Sequence, residues 1–230
     1  MEKISTYKKI KKRLFPAVSW IRTFVKTYIL VDKLFIVRQQ WRRDNATRDF
    51  RFNYPLTPDS VVLDFGGYTG EWAEKISKKY ACSIYIFEPV KVFFDQTKEK
   101  FKDNPKIKSF NFGLSDADSH EAISISGVAS SVFVGKKDTM IKLRDVKKVI
   151  DELHLKHVNL LKINIEGGEY KVLPRMIDAG LTSMCENIQI EFHHFYPQAE
   201  KLRKEIQQKL RLTHHLTYDY PFFFENWKIN

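Results

Sequence analysis

Two groups of residues have types and spacings suited to chemistry. The first is the run Asp64-Phe65-Gly66-Gly67-Tyr68-Thr69-Gly70, which follows the apolar Val61-Val62-Leu63. Glycines let backbone come close to a ligand and adopt conformations barred to other residues. Glu88 stands 24 residues after Asp64, and Ser115 and Asp116 follow a later apolar stretch. An acid about 20 residues past a glycine-rich loop can accept both ribose hydroxyls of a nucleoside. Asp116 can take a proton of an exocyclic amine. The second group is Glu166, Glu191 and His193, two carboxylates and an imidazole suited to removing a proton from a hydroxyl. His193 is the first candidate for general base because its ordinary pKa lies near neutrality. Glu191 orients it or serves as base itself. Lys162 is expected to pair with Glu166 or Glu191. Asn164, Glu166 and Glu191 carry oxygen ligands for a hard cation, but nothing in their spacing demands a metal and none is expected.

The loop discriminates among nucleotides. A dinucleotide fingerprint needs G-x-G-x-x-G, and Phe65 occupies the first glycine position; the Walker pattern is absent. Asp64 supplies an anionic partner for the ammonium of a methionine moiety. The expected cofactor is therefore S-adenosylmethionine. Its expected contacts are Asp64, Gly66, Gly67, Tyr68, Gly70, Glu88, Ser115, Asp116 and Asn164.

These residues must be carried by alternating strands and helices. Val61–Phe65 is too short an apolar run for a helix before its glycines, and Glu71–Tyr80 has helical periodicity. Ser83–Phe87 alternates toward Glu88-Pro89, where proline ends a strand. A helix is predicted over 90–102 and strands over 106–113, 160–165 and 187–192. A β excursion or flexible insertion is predicted over 120–134, and a helical or mixed stretch over 142–153. The helix over 169–179 is closed by Gly180, a residue that takes the left-handed conformation cheaply. A charged helix over 198–210 and strands over 215–220 and 222–229 complete the chain; the aromatics from Tyr218 to Trp227 are assigned mainly to a core. Apolar strands separated by helices imply an α/β fold, with a mostly parallel Rossmann-like sheet covered by helices on both faces. Its ligands belong beyond the carboxyl ends of the strands.

Charge divides the chain. Of a net +11, residues 1–50 hold 13 Lys and Arg against four acids, so the remaining residues are nearly neutral. The expected domains are a basic helical extension over 1–52 and a catalytic domain over 53–230. Trp20, Ile21, Phe24, Val25 and Tyr28 recur at helical spacing, which predicts an amphipathic helix packing on the domain. Its basic and aromatic content also suits an anionic membrane surface. Arg22, Lys26, Asp32 and Lys33 interrupt the stretch, so it reads neither as a membrane span nor as a signal peptide. Cys82 and Cys185 form no metal spacing and are expected as buried free thiols of a reducing, cytoplasmic compartment, peripheral to the inner membrane surface if the extension docks there.

From Asp64 to about His193 the chain resembles the FkbM family of S-adenosylmethionine-dependent methyltransferases. The matching pieces are the loop itself, Phe87-Glu88-Pro89, Gly113-Leu114-Ser115-Asp116, Leu161-Lys162-Ile163-Asn164-Ile165-Glu166-Gly167-Gly168-Glu169 and Ile190-Glu191-Phe192-His193. The resemblance implies a class I methyltransferase sheet of seven strands with the last antiparallel, and O-methylation of sugars, glycans or small metabolites. It departs from the family at Asn164, where the family carries Asp. Two other readings accompany this one. An RNA 2′-O-methyltransferase would suit Lys162, Glu191 and the basic N-terminus, but a nearly neutral catalytic body disfavours nucleic acid. A non-catalytic module would dock a membrane or partner through residues 1–50.

Overall fold

The computed structural model describes residues 33–126, 129–131 and 139–230. The amphipathic helix expected around Trp20 to Tyr28 lies outside the described residues. The chain divides between Ala46 and Thr47. On the N-terminal side, α1 (Lys33–Arg43) ends on Arg42 and Arg43, cations that complement the negative end of a helix. No helix among the described residues is long and apolar enough to cross a membrane.

The larger unit, Thr47–Asn230, is built on a seven-stranded sheet. Its strands are β1 (Val61–Phe65), β2 (Ser83–Phe87), β3 (Ile107–Phe110), β8 (Leu160–Ile163), β9 (Asn187–Ile190), β10 (His214–Tyr220) and β11 (Phe224–Ile229), ordered β10-β11-β9-β8-β1-β2-β3. Pairings are parallel from β3 through β9, while β11, the last strand, runs antiparallel to both neighbours. This is the class I methyltransferase arrangement. The connecting helices are α2 (Glu71–Tyr80), α3 (Lys91–Lys100), α4 (Val146–Glu152), α5 (Glu169–Asp178) and α6 (Ala199–Leu210).

Side-chain alternation splits the interior in two. Leu63, Phe65, Leu161, Ile163, Ile188 and Ile190 pack with Leu173 and Met176 of α5 and Ile206 and Leu210 of α6. The opposite face sends Val62, Ile84 and Leu160 against Trp72, Ala73 and Ile76 of α2. On that face a polar row crosses the sheet, Asp64 beside Lys162, then Gln189, Asn226 and Tyr218 in register. Gln189 Nε2 donates to the Tyr54 hydroxyl at 2.6 Å, the Tyr218 hydroxyl at 3.0 Å and the Arg51 carbonyl at 3.2 Å. The row thereby ties the entry segment to the sheet.

A second, four-stranded sheet was not foreseen. It comprises β4 (Gly113–Ser115), β5 (Ser119–Ser126), β6 (Ala129–Ser131) and β7 (Thr139–Asp145), ordered β4-β7-β5-β6. It corrects one expectation and resolves another. The strand over 106–113 breaks after Phe110, and its continuation leaves the main sheet to pair with β7. The stretch over 142–153 is the mixed one: helical from Val146, with its first residues extending β7, because β5 offers an antiparallel ladder from Ser119 to Ile123. The excursion over 120–134 is β-structured as far as it is described.

Candidate active site

The carboxyl ends of β1, β2 and β8 meet where strand order reverses on either side of β1, the place where open α/β sheets bind ligands. The β1 loop bends on glycines for steric reasons. Gly66 has φ +85°, and a Cβ there would stand 2.0 Å from the Asn164 carbonyl oxygen. Gly70 has φ +77° and caps α2; a Cβ would meet the Phe101 ring at 2.8 Å. The first glycine lets the β1 and β8 loops touch, and the second lets α2 pack on the end of α3.

Between these loops lies a cavity of about 270 Å³. Of the residues expected to hold the cofactor, Gly66, Gly67, Tyr68, Glu88, Ser115 and Asn164 line it. Asp64, Gly70 and Asp116 are not among its lining residues. Glu88 is buried with both carboxylate oxygens on backbone, Oε2 accepting from the Tyr68 N–H and Oε1 from the Val90 N–H, each at 2.8 Å. Burial raises its pKa to about 7, and the two amides only partly oppose that. Asp64 lies fully buried beneath the loop, where Lys162 donates to its Oδ1 at 2.8 Å and to the Gly66 carbonyl at 2.6 Å. Lys162 therefore pairs with Asp64, not with the expected Glu166 or Glu191. The two are direct cross-strand neighbours on one face, closer than either strand-end acid. Asp116 is exposed and accepts the Ser115 hydroxyl at 3.0 Å.

The acids and imidazole expected to do proton chemistry are brought together. Glu166 lines the cavity from a left-handed backbone, φ 51°, a strained conformation for a residue with a side chain and one found often at functional sites. His193 is 9% exposed and stands between two carboxylates, with Nδ1 3.1 Å from Glu169 and Nε2 3.4 Å from Glu166. Its own backbone N–H donates to Glu169 at 2.8 Å, and the other Glu169 oxygen accepts from the Gly167 N–H. Burial lowers the His193 pKa, but the two carboxylates outweigh it and bring the value to about 10. Both carboxylates thereby favour the protonated ring over the free base at neutral pH. Glu191 accepts from the Asn164 amide at 2.8 Å. Burial raises its pKa, against the opposing charge of His193.

Sequence reasoning missed several walls of the cavity. Arg51 lies in the stretch assigned to the N-terminal extension, so charge composition hid it. Trp72 reads only as part of α2's apolar face. Ile123 and Ile141 come from the second sheet, and Lys171 from the first turn of α5. No motif marks any of them.

The family described as Methyltransferase FkbM domain matches residues 64–220. The chain is 26% identical over 182 residues to the AMB antimetabolite synthetase AmbE of Pseudomonas aeruginosa, covering 60% of this chain and 8% of that protein. It is 26% identical over 165 residues to Methyltransferase 1 of Beauveria bassiana, covering 60% of this chain and 66% of that one. The chain thus spans less than two thirds of either relative. Among solved structures, SMU.1697c of Streptococcus mutans in complex with SAH is similar in fold, with a TM-score of 0.50 and 9% identity over 81% of this chain and 97% of that one.

Proposed function

The chain belongs to the FkbM methyltransferase domain family and uses S-adenosylmethionine, and from that premise we propose that it is an O-methyltransferase acting on a hydroxyl of a sugar, glycan or small metabolite. The observation that carries this reading is Glu166, a carboxylate held in a left-handed backbone on the cavity wall and backed by a charged His193.

The cavity fits the cofactor. Glu88 would accept the ribose hydroxyls, the backbone of Gly66, Gly67 and Tyr68 would pass along the amino-acid portion, and Val90, Phe93 and Leu114 would flank the base. Asp64 Oδ2 is buried without a hydrogen-bond partner, an unsatisfied acceptor below Gly67 in a site that must receive an ammonium. When bound, S-adenosylmethionine supplies an electrophilic methyl group on a sulfonium sulfur.

The chain's residues supply the rest. A sugar hydroxyl is a weak nucleophile, so removing its proton as the new bond forms helps. Glu166 is the group placed to take that proton. His193 and Glu169 hold Glu166 in position, and Asn164 fixes Glu191 behind it. Ile123, Ile141 and Leu143 form an apolar side of the cavity, and an apolar wall strengthens the polar contacts beside it.

The test is incubation with methyl-labelled S-adenosylmethionine and fractionated extract, parent protein against Glu166→Gln. The expected product carries alkali-stable label in the glycan or small-metabolite fraction, and the variant loses it. Label lost on mild alkaline hydrolysis, or found in nuclease-sensitive material, would overturn the assignment.

A further inference from the structure

Among the described residues, three cations line the cavity: Arg51, Lys162 and Lys171. Two are committed. Lys162 is held by Asp64 and the Gly66 carbonyl, and Lys171 donates to Glu121 at 2.8 Å. Arg51 forms no ion pair with a described carboxylate, and its Nε is buried with no hydrogen-bond partner. A second buried donor in the same wall, Trp72 Nε1, is also without a partner. Buried donors are nearly always satisfied in native proteins, so two orphans in one cavity, one of them on a cation, point to an anionic occupant.

Arg51 is also fixed in place. Its carbonyl accepts from Gln189, and its guanidinium lies over the Phe224 ring at 4.8 Å and the Phe52 ring at 5.3 Å. Trp72 is the second residue of α2, whose N-terminus carries the positive end of the helix dipole. The cofactor has one group that answers these donors, the carboxylate of its amino-acid end, and Glu88 would hold the opposite, ribose portion.

We propose that Arg51, assisted by the Trp72 indole N–H, binds the carboxylate of the cofactor's amino-acid portion and so makes this site selective for the intact amino acid. The proposal rests on the cofactor, not on the acceptor, so it stands or falls separately from the identity of the methylated hydroxyl.

Calorimetry with two ligands tests it: S-adenosylhomocysteine, and S-adenosyl-3-thiopropylamine, which differs only in lacking the carboxylate. The parent should bind the first about tenfold or more tightly, the range of one charge-assisted contact. Arg51→Met, which keeps the packing stem, should weaken S-adenosylhomocysteine about tenfold and leave the amine within about twofold. Trp72→Phe should narrow the preference by roughly a fewfold, the size of one neutral hydrogen bond. Arg51→Lys retains charge and should keep part of the preference, so it carries the same comparison if Arg51→Met melts early. Equal binding of both ligands by the parent overturns the proposal, as does an equal loss for both in Arg51→Met. Unchanged binding of both ligands in Arg51→Met, with only the acceptor KM raised, also overturns it and assigns Arg51 to an anionic acceptor.

Discussion

Two charge clusters meet at β8, one closed beneath the loop and one reaching the cavity wall. Asp64 and Lys162 form a closed pair, one acid to one base, with side chains 0% and 5% exposed. Across the strand ends, His193 stands among Glu166, Glu169 and Glu191, and the charges of Arg51 and Lys162 also reach Glu191. Lys162 takes one oxygen of Asp64 and locks β1 to β8 beneath the loop, leaving Asp64 Oδ2 without a partner among the described residues. Glu166 is where the second cluster meets the cavity. Access to the cavity, not the mere presence of buried acids, separates architecture from site here.

The sharpest way to break this comparison is to unbalance the closed pair. Lys162→Met leaves Asp64 charged and buried, and should destabilise the protein by about 3–5 kcal/mol in chemical denaturation. Removing both partners in an Asp64→Leu, Lys162→Met double variant should restore most of that loss, since paired charges cost desolvation that apolar groups do not. Equal losses in single and double variants would show that the pair does not hold the loop.

Glu166→Gln should do the reverse. Turnover should fall by about 10²–10⁴, the usual range for a lost general base, while the denaturation midpoint and S-adenosylhomocysteine affinity stay near the parent's. His193 adds a pH signature. With its pKa at about 10, His193 should give kcat no imidazole limb near pH 6.5, and the alkaline limb should come as the pH approaches 10, where the ring loses its proton and its hold on Glu166. A limb near 6.5 that disappears in His193→Gln would return the base to His193.

The sequence makes the sheet legible because its strands are short, fully apolar and punctuated by Gly and Pro, so Val61–Phe65, Ser83–Phe87 and the helix closed by Gly180 appear where expected. The second sheet was legible only in part, as the β excursion over 120–134 and not in its pairing with 113–115 and 139–145. Its strands mix serines with isolated isoleucines and are fixed by pairing partners far apart in sequence, such as Gly113 with Leu143. The same limit applies to the site. Residue types at strand ends identify Glu88, Glu166 and His193 as chemistry-bearing, but not their protonation states, which depend on neighbours in space. His193 reads as a base by its ordinary pKa, but Glu166 and Glu169, one on each ring nitrogen, favour its protonated form. Arg51 shows a converse blind spot, because it sits in a stretch whose composition belongs to the basic N-terminus while Gln189 fixes it to the cavity.

Glu88 extends the comparison to an acid with no cation at hydrogen-bond distance among the described residues, only two backbone amides. Its pKa of about 7 in the folded chain lies above the ordinary 4.5. As pH rises from 4.5 to 7, the unfolded chain releases this proton first, so the folded chain holds more protons and stability falls across that window. The cost is about 3 kcal/mol at most above pH 7, from about 1.4 kcal/mol per pKa unit. Burial raises Asp64 and Glu191 in the same direction, so the informative quantity is the difference between parent and Glu88→Gln, whose stability should fall less over that window. S-adenosylhomocysteine should act oppositely on the parent. A carboxylate that accepts ribose hydroxyls binds best when ionised, so affinity should rise by up to about tenfold as pH passes through 7, the worth of one charge-assisted hydrogen bond. Glu88→Gln should bind more weakly and without that rise. An affinity that is flat with pH in the parent would mean that the two amides alone, and not the ribose, account for the carboxylate at this strand end.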